Sequence, residues 1–381
     1  DWTQTVANTP DHNLSKSNTG AMYGHTCSIS GDGKTALISG YASATSGGAW
    51  IWTKNESGTW TETADLSKTT GGYHGMSCSI SADGNTVVIA GQINTSSGCA
   101  FIWTKDDSGT WTETADLSKN GTNGEYGRSC SISADGSTVI VAGYSSITSG
   151  CAFIWTKDES SGTWTETADL SKLSGTNGAY GMSCSISADG TTALISGNKY
   201  NSDTSGGAWI WTKDESGTWT ETADLSKTSG TKGKYGSSCS MSADGKTALI
   251  SGYLDPGGGA WIWTMDESGT WTETGDLSKE SGPNVKYGYF CSLSADGNIA
   301  LICGYQGWVS GEAYLWTKDE SGTWTETADL SKTSANGNYG YSCSISGDGS
   351  TAIVSGFYSA TQSGGAWIWD GIDNGADKSV L

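Results

Sequence analysis

Ten cysteines, three histidines, 40 carboxylates, 19 tryptophans and 16 tyrosines are the groups in this 381-residue chain that could do chemistry. Seven cysteines, Cys27, Cys78, Cys130, Cys184, Cys239, Cys291 and Cys343, recur at intervals of 51 to 55 residues. Thiolates hold soft metals or shuttle electrons when they come in local pairs such as C-x-x-C. One thiol per interval supplies no local ligand set, so these read as small buried hydrophobes and free thiols. Cys99 and Cys151 fit the same role. Each replaces a glycine of S-G-G-A-W, and each time the following Trp becomes Phe, which conserves volume. Cys303 replaces the serine of I-S-G. His12, His25 and His74 occupy different repeat positions, and no G-x-S-x-G, H-E-x-x-H or phosphate-loop pattern is present. The carboxylates recur with the repeat, so none stands out as a tuned acid or base. The chain is therefore expected not to be an enzyme.

The elements that carry these residues are read from one unit, Tyr180 to Lys227. Its first run, Gly181 to Ser187, alternates serine with Cys184 and Ile186, as a strand does. Ala188-Asp189-Gly190 is a tight hairpin turn. Thr192 to Ser196 is a short apolar strand, and Ala208 to Trp211 is a third, with Trp209 and Trp211 on one face. Lys213 to Gly217 turns the chain into a fourth, more polar run, Thr218 to Thr222, suited to an outer edge. Copies of this unit begin near residues 23, 74, 126, 180, 235, 287 and 339.

Four antiparallel strands in roughly 50 residues, repeated in tandem, predict an all-β chain folded as a seven-bladed β-propeller. The last copy lacks its W-T-E-T run, and residues 1–16 supply one: Trp2 to Thr5 match W-T-E-T, and Asn13 to Lys16 match D-L-S-K. The N-terminal strand is thus expected to complete the C-terminal blade and close the ring, within a single domain of residues 1–371 followed by a tail, 372–381.

Y-G-x-S-C-S-I-S, then A-L-I-S-G, then G-A-W-I-W resembles the FG-GAP repeat of integrin α-subunit propellers, and more closely the FG-GAP-like repeats of microbial and algal surface proteins. The resemblance spans the whole chain and implies the same fold. Integrin-type blades often hold Ca²⁺ through D-x-D-x-D-G in the first hairpin. The matching positions here are Ser185, Ser187 and Asp189 before Gly190. Two of three carboxylates are absent, and a hard cation wants several. The aspartate is expected to cap its own turn, and no cofactor or metal is expected.

The formal charge is −20, with Arg128 the only arginine. Dispersed negative charge keeps a particle soluble and argues against nucleic acid, which needs clustered cations. No apolar run approaches the roughly 18–20 residues of a membrane span. A chain starting at Asp1, with sequons at Asn13, Asn55, Asn94 and Asn120, reads as a processed, secreted glycoprotein, extracellular or on a cell surface. Most aromatic residues recur at fixed strand positions and read as core. Tyr41, Tyr144, Tyr200, Tyr253, Tyr305, Trp308 and Phe357 fall in or beside the second-to-third-strand loops, which vary between copies. Those loops share one face of a blade, while the A-D-G and K-D-E-S-G turns share the other. Loops on a rigid scaffold carry function, and these seven residues are the candidate ligand or partner contacts. Two readings follow: a structural or adhesive subunit of a fibre, coat or sheath, partnered by copies of itself and docking through its tail; and a lectin-like module binding glycan or protein through the variable face.

Overall fold

In the computed structural model, residues 10–17, 19, 21–43, 46–69, 72–94, 96–122, 124–145, 149–172, 179–198, 206–227, 234–254, 258–279, 285–306, 310–332, 338–358 and 363–372 are described. Among them every regular element is a strand, in seven antiparallel sheets. The ring is a seven-bladed propeller. In the fourth blade, Ser183–Ile186 is innermost, followed outward by Thr192–Asn198, Gly206–Lys213 and Trp219–Asp224. The second strand buries Ala193, Leu194 and Ile195 alike, since neighbouring blades cover both its faces. The core therefore lies between blades. One cluster joins Ile140, Ala152 and Ile154 of the third blade to Cys184, Ile195 and Trp209 of the fourth.

The N-terminus closes the ring. His12–Asn13 pairs with Ser363–Asp370, in register His12 to Ile368 and Asn13 to Trp367, and the Leu14 amide donates to Ala366 O at 2.8 Å. Trp2 to Thr5 and residues 373–381 lie outside the described residues.

The second and third strands run further than the sequence suggests. Gly197 pairs with Gly207 and Asn198 with Gly206, so residues read as loop belong to the hairpin. The glycine there serves contact between blades. A Cβ on Gly206 would stand 1.8 Å from the carbonyl oxygen of Tyr235.

Repeat residues stitch neighbouring blades together. The A-D-G turns form a closed backbone circuit: Gly31 N to Ala82 O, then Ala134, Ala188, Ala243, Ala295 and Gly347, which returns to Gly31 O, at 2.8–3.0 Å throughout. Innermost strands have no sheet neighbour toward the axis, so their amides need other acceptors. Serines of the preceding blade supply them. The Ile132 amide donates to Ser79 Oγ (3.3 Å) and the Ile345 amide to Ser292 Oγ (3.2 Å), and all seven blades repeat the contact. The tyrosine of Y-G donates its hydroxyl to the leucine carbonyl of D-L-S-K, as Tyr180 does to Leu170 O at 2.7 Å. Lysine of the same D-L-S-K lies over an aromatic ring of the next blade and pairs with its glutamate, as Lys68 does with Phe101 (3.5 Å) and Glu113 (2.6 Å).

All ten cysteines are buried free thiols. Burial pushes those of Cys27, Cys78 and Cys291 up to about 12, so they stay protonated. The A-D-G aspartates fasten their turns: Asp189 Oδ1 accepts from Ser187 Oγ (2.6 Å) and the Thr191 amide (3.0 Å). No helix among the described residues is long and apolar enough to cross a membrane.

Candidate functional site

The seven innermost strands surround an axial well of about 410 Å³. Its wall carries the serines and cysteines of S-C-S, among them Ser79, Ser131, Ser240 and Ser292. Each of these serines accepts an amide of the next blade and keeps a hydroxyl hydrogen to offer. The A-D-G circuit lies at one end of these strands, and the Y-G-x residues at the other. The Y-G-x end, where Tyr41 and Tyr253 of the hairpin strands also line the well, is taken as its mouth.

One residue per blade sets the rim: the x of Y-G-x-S-C. The glycine before it turns the chain onto the axis. Gly127, for example, holds φ at 87°, and a Cβ there would meet Gly91 O at 2.6 Å. The rim residues are His25, Met76, Arg128, Met182, Ser237, Tyr289 and Tyr341, and every one of them lines the well. Few positions differ so much between copies, although the S-C-S that follows hardly changes.

Aromatic rings gather on one side of this rim. Tyr341 is central, with ring centroids 5.0 Å from His25, 4.9 Å from Tyr289, 4.7 Å from Phe357 and 5.4 Å from Tyr305. The arc extends through Tyr253, 5.1 Å from Tyr289, and in the other direction through Tyr41, 4.8 Å from His25, to Tyr73. The separations are those of edge and tilted packing. Lys286 donates to Tyr305 Oη at 2.6 Å, and Lys234 lies over the Tyr253 ring at 5.2 Å.

Arg128 stands on the third blade. In a seven-membered ring that places it opposite the sixth and seventh blades, which carry Tyr289 and Tyr341. Its guanidinium lies 3.9 Å from Glu125, an ion pair too long for a hydrogen bond, and 5.2 Å from the Tyr144 ring. Among the described residues no hydrogen bond ties it. Burial raises the Glu125 carboxyl, against the pull of Arg128. Burial, then the Arg128 charge, lowers His25 to about 3, so this imidazole is neutral at ordinary pH, with Nδ1 3.1 Å from Met76 O. Burial pushes the Tyr341 phenol up to about 12. At neutral pH the mouth therefore presents neutral hydrogen-bonding rings facing a guanidinium.

The structure brings together Tyr41, Tyr253, Tyr305 and Phe357, four of the sequence candidates. They are the paired strand residues behind the rim and not loop tips. Tyr144 lies apart, with Arg128. Tyr200 and Trp308 lie outside the described residues. The sequence reading missed His25, Arg128, Tyr289 and Tyr341. The signal was the single variable letter inside an otherwise fixed Y-G-x-S-C-S. The sequon residues Asn13, Asn55, Asn94 and Asn120 are all exposed, and Asn55 Oδ1 also accepts the Ser57 and Thr59 amides of its turn. Among the described residues no three His, Cys, Asp or Glu side chains gather as a metal cluster would.

No family model matches the chain. No curated protein matches it in sequence. The FG-GAP likeness thus rests on the repeat residues alone. Solved structures do match. One is the hydrazine synthase of Kuenenia stuttgartiensis, with 13% identity, a TM-score of 0.61, and coverage of 97% of this chain and 99% of that one. Another is the periplasmic gluconolactonase of Pseudomonas aeruginosa, with 15% identity, a TM-score of 0.57, and coverage of 89% and 96%. At such identity the likeness establishes the fold. It also corrects the expectation that this chain is not an enzyme, because both neighbours bear the names of enzymes. That expectation rested on the absence of catalytic motifs. In a propeller, side chains from several blades converge on the axis, so a linear motif is not the form in which a site would be written.

Proposed function

We propose that this propeller is an extracellular recognition protein whose ligand enters the mouth of the axial well. The observation that carries this reading is where the repeat is broken. Inner-strand residues that hold blades together are nearly the same in every copy. The residue that reaches the rim is histidine, methionine, arginine, serine or tyrosine. A merely structural ring needs no such variety. A well of about 410 Å³ lies within the range of small-molecule sites, roughly 300–1,000 Å³. The exposed sequon residues are compatible with a glycosylated surface. Of the two sequence readings, this favours the lectin-like module. The fibre or coat reading rested on the near-identity of the repeats, and the tail through which such a subunit would dock lies outside the described residues beyond residue 372.

The test is a glycan and peptide array probed with the natural chain and with Ser237→Tyr. Tyrosine already stands at this position as Tyr289 and Tyr341, so the fold accommodates it, and an added ring narrows the well. Ligands bound by the natural chain and lost by the variant support the reading. Undiminished binding by Ser237→Tyr sinks it.

A further inference from the structure

We infer that the mouth takes a carboxylated sugar ring, its carboxylate held by Arg128 and its ring lying between that guanidinium and the Tyr289–Tyr341 rings opposite. This rests on the reading just given and names its ligand class.

Charge is the first argument. The chain carries −20, yet among the described residues Arg128 lines the well and Lys234 and Lys286 stand against the Tyr253 and Tyr305 rings behind its rim, with Glu125 the carboxylate beside the guanidinium. The D-L-S-K lysines follow the repeat, and among the described residues six of the seven pair with a glutamate of the next blade, as Lys172 does with Glu221 and Lys227 with Glu273. Arg128 belongs to no such scheme. It is the one arginine of the chain, it lines the well, and its donors are not consumed by hydrogen bonds among the described residues. A guanidinium fork matches a carboxylate in two parallel bonds. Burial raises the Tyr289 and Tyr341 phenols, and the Arg128 charge pulls the other way, as a cation facing them across the well would.

Shape and polarity are the second. The tilted phenol rings of Tyr289 and Tyr341 line the well and offer apolar ring surface to the C–H side of a pyranose. Below them the wall is hydroxyl, from serines such as Ser79 and Ser240. A hydroxylated ring would pair with those groups. A purely aromatic acid would cover them unpaired and forfeit the hydrogen bonds that each hydroxyl makes to water. The volume holds one or two sugar rings. Glu125 beside the guanidinium disfavours a doubly charged phosphate over a single carboxylate.

The experiment is isothermal titration of the full chain with D-galacturonate and D-glucuronate, and with D-galactose and D-glucose as neutral parents. Natural chain, Arg128→Gln, Arg128→Lys and Ser237→Tyr are compared, each checked by near-UV circular dichroism for an unchanged fold. The natural chain should bind a uronate at least about tenfold more tightly than its parent. Arg128→Gln should bring the uronate down to about the level of the parent, a far larger loss than the parent itself shows, with Arg128→Lys between. Parent and acid binding equally, no uronate binding, or Arg128→Gln without effect overturns the inference. In those cases the broader reading still stands if the array ligands need an open mouth, and fails if they bind Ser237→Tyr. Trigalacturonate in the same titration separates two sources of this chemistry: binding as tight as galacturonate marks a glycan end, and weaker binding a free acid.

Discussion

At the scale of single residues, His74 shows how the repeat tolerates a substitution and what it loses. Six copies place tyrosine there, with hydroxyl-to-carbonyl bonds of 2.6–2.8 Å. His74 reaches the same carbonyl, Leu66 O, at 3.4 Å through Nε2. Its pKa is lowered to about 4, chiefly by burial, so the folded chain holds it neutral while the unfolded chain protonates near 6.5. Between those values the unfolded state binds more protons, so stability falls as pH drops. The slope is about 1.4 kcal/mol per pH unit for each such histidine. His25, lowered to about 3, adds the same sign over a wider window. His74→Tyr should therefore stabilise the chain by about 1 kcal/mol at pH 7. The gain should grow as pH falls from 6.5 toward 4. Urea denaturation at pH 7 and near 4.5 checks this, and a gain that does not grow in acid would contradict the buried-neutral assignment. Much at this scale was legible beforehand. The cysteines are buried thiols and the A-D-G aspartates do cap their turns. The role of His74 was not legible, because only the fold shows that its ring fills a tyrosine site.

At the scale of elements, the strand order and its closure could be read, whereas the contacts between blades could not. In the sequence, serine of Y-G-x-S-C-S shows only as the residue alternating with cysteine and isoleucine along a strand. Its hydroxyl is the acceptor that an axial edge strand otherwise lacks. Ser79→Ala leaves the partly buried Ile132 amide without its acceptor and should cost about 1 kcal/mol in chemical denaturation. The glycines ending the second and starting the third strand looked like loop residues. Those contacts join residues tens of positions apart that are nearly identical in every copy, so no local pattern distinguishes them. Gly206→Ala would force a Cβ to within 1.8 Å of Tyr235 O, and with a rigid backbone on the other side the cost should exceed about 3 kcal/mol. Unchanged melting of the Gly206→Ala chain would refute this account of the blade contact.

At the scale of the whole molecule, the ring is held shut by a short strand and a few side chains. Leu14 is buried in the first-to-seventh blade core, Lys16 pairs with Glu62 at 2.7 Å, and His12–Asn13 provides the outer strand. Deleting residues 1–16 should expose the edge of Ser363–Asp370 and cause aggregation or a fall of many degrees in Tm. A soluble variant with unaltered Tm would remove the closing role. The candidate site also belongs to this scale. Arg128, on the third blade, is separated by more than a hundred residues from Tyr289 and Tyr341, and they meet only because the ring closes. The measurement that bears most directly on the account is the affinity of the strongest array ligand for three chains: natural, Ser237→Tyr at the rim and Trp308→Ala in a variable loop. A site in the axial mouth predicts a loss of at least about tenfold for Ser237→Tyr and no change for Trp308→Ala. The opposite result, with Trp308→Ala abolishing binding and Ser237→Tyr leaving it intact, would move the site to the loops and contradict the account.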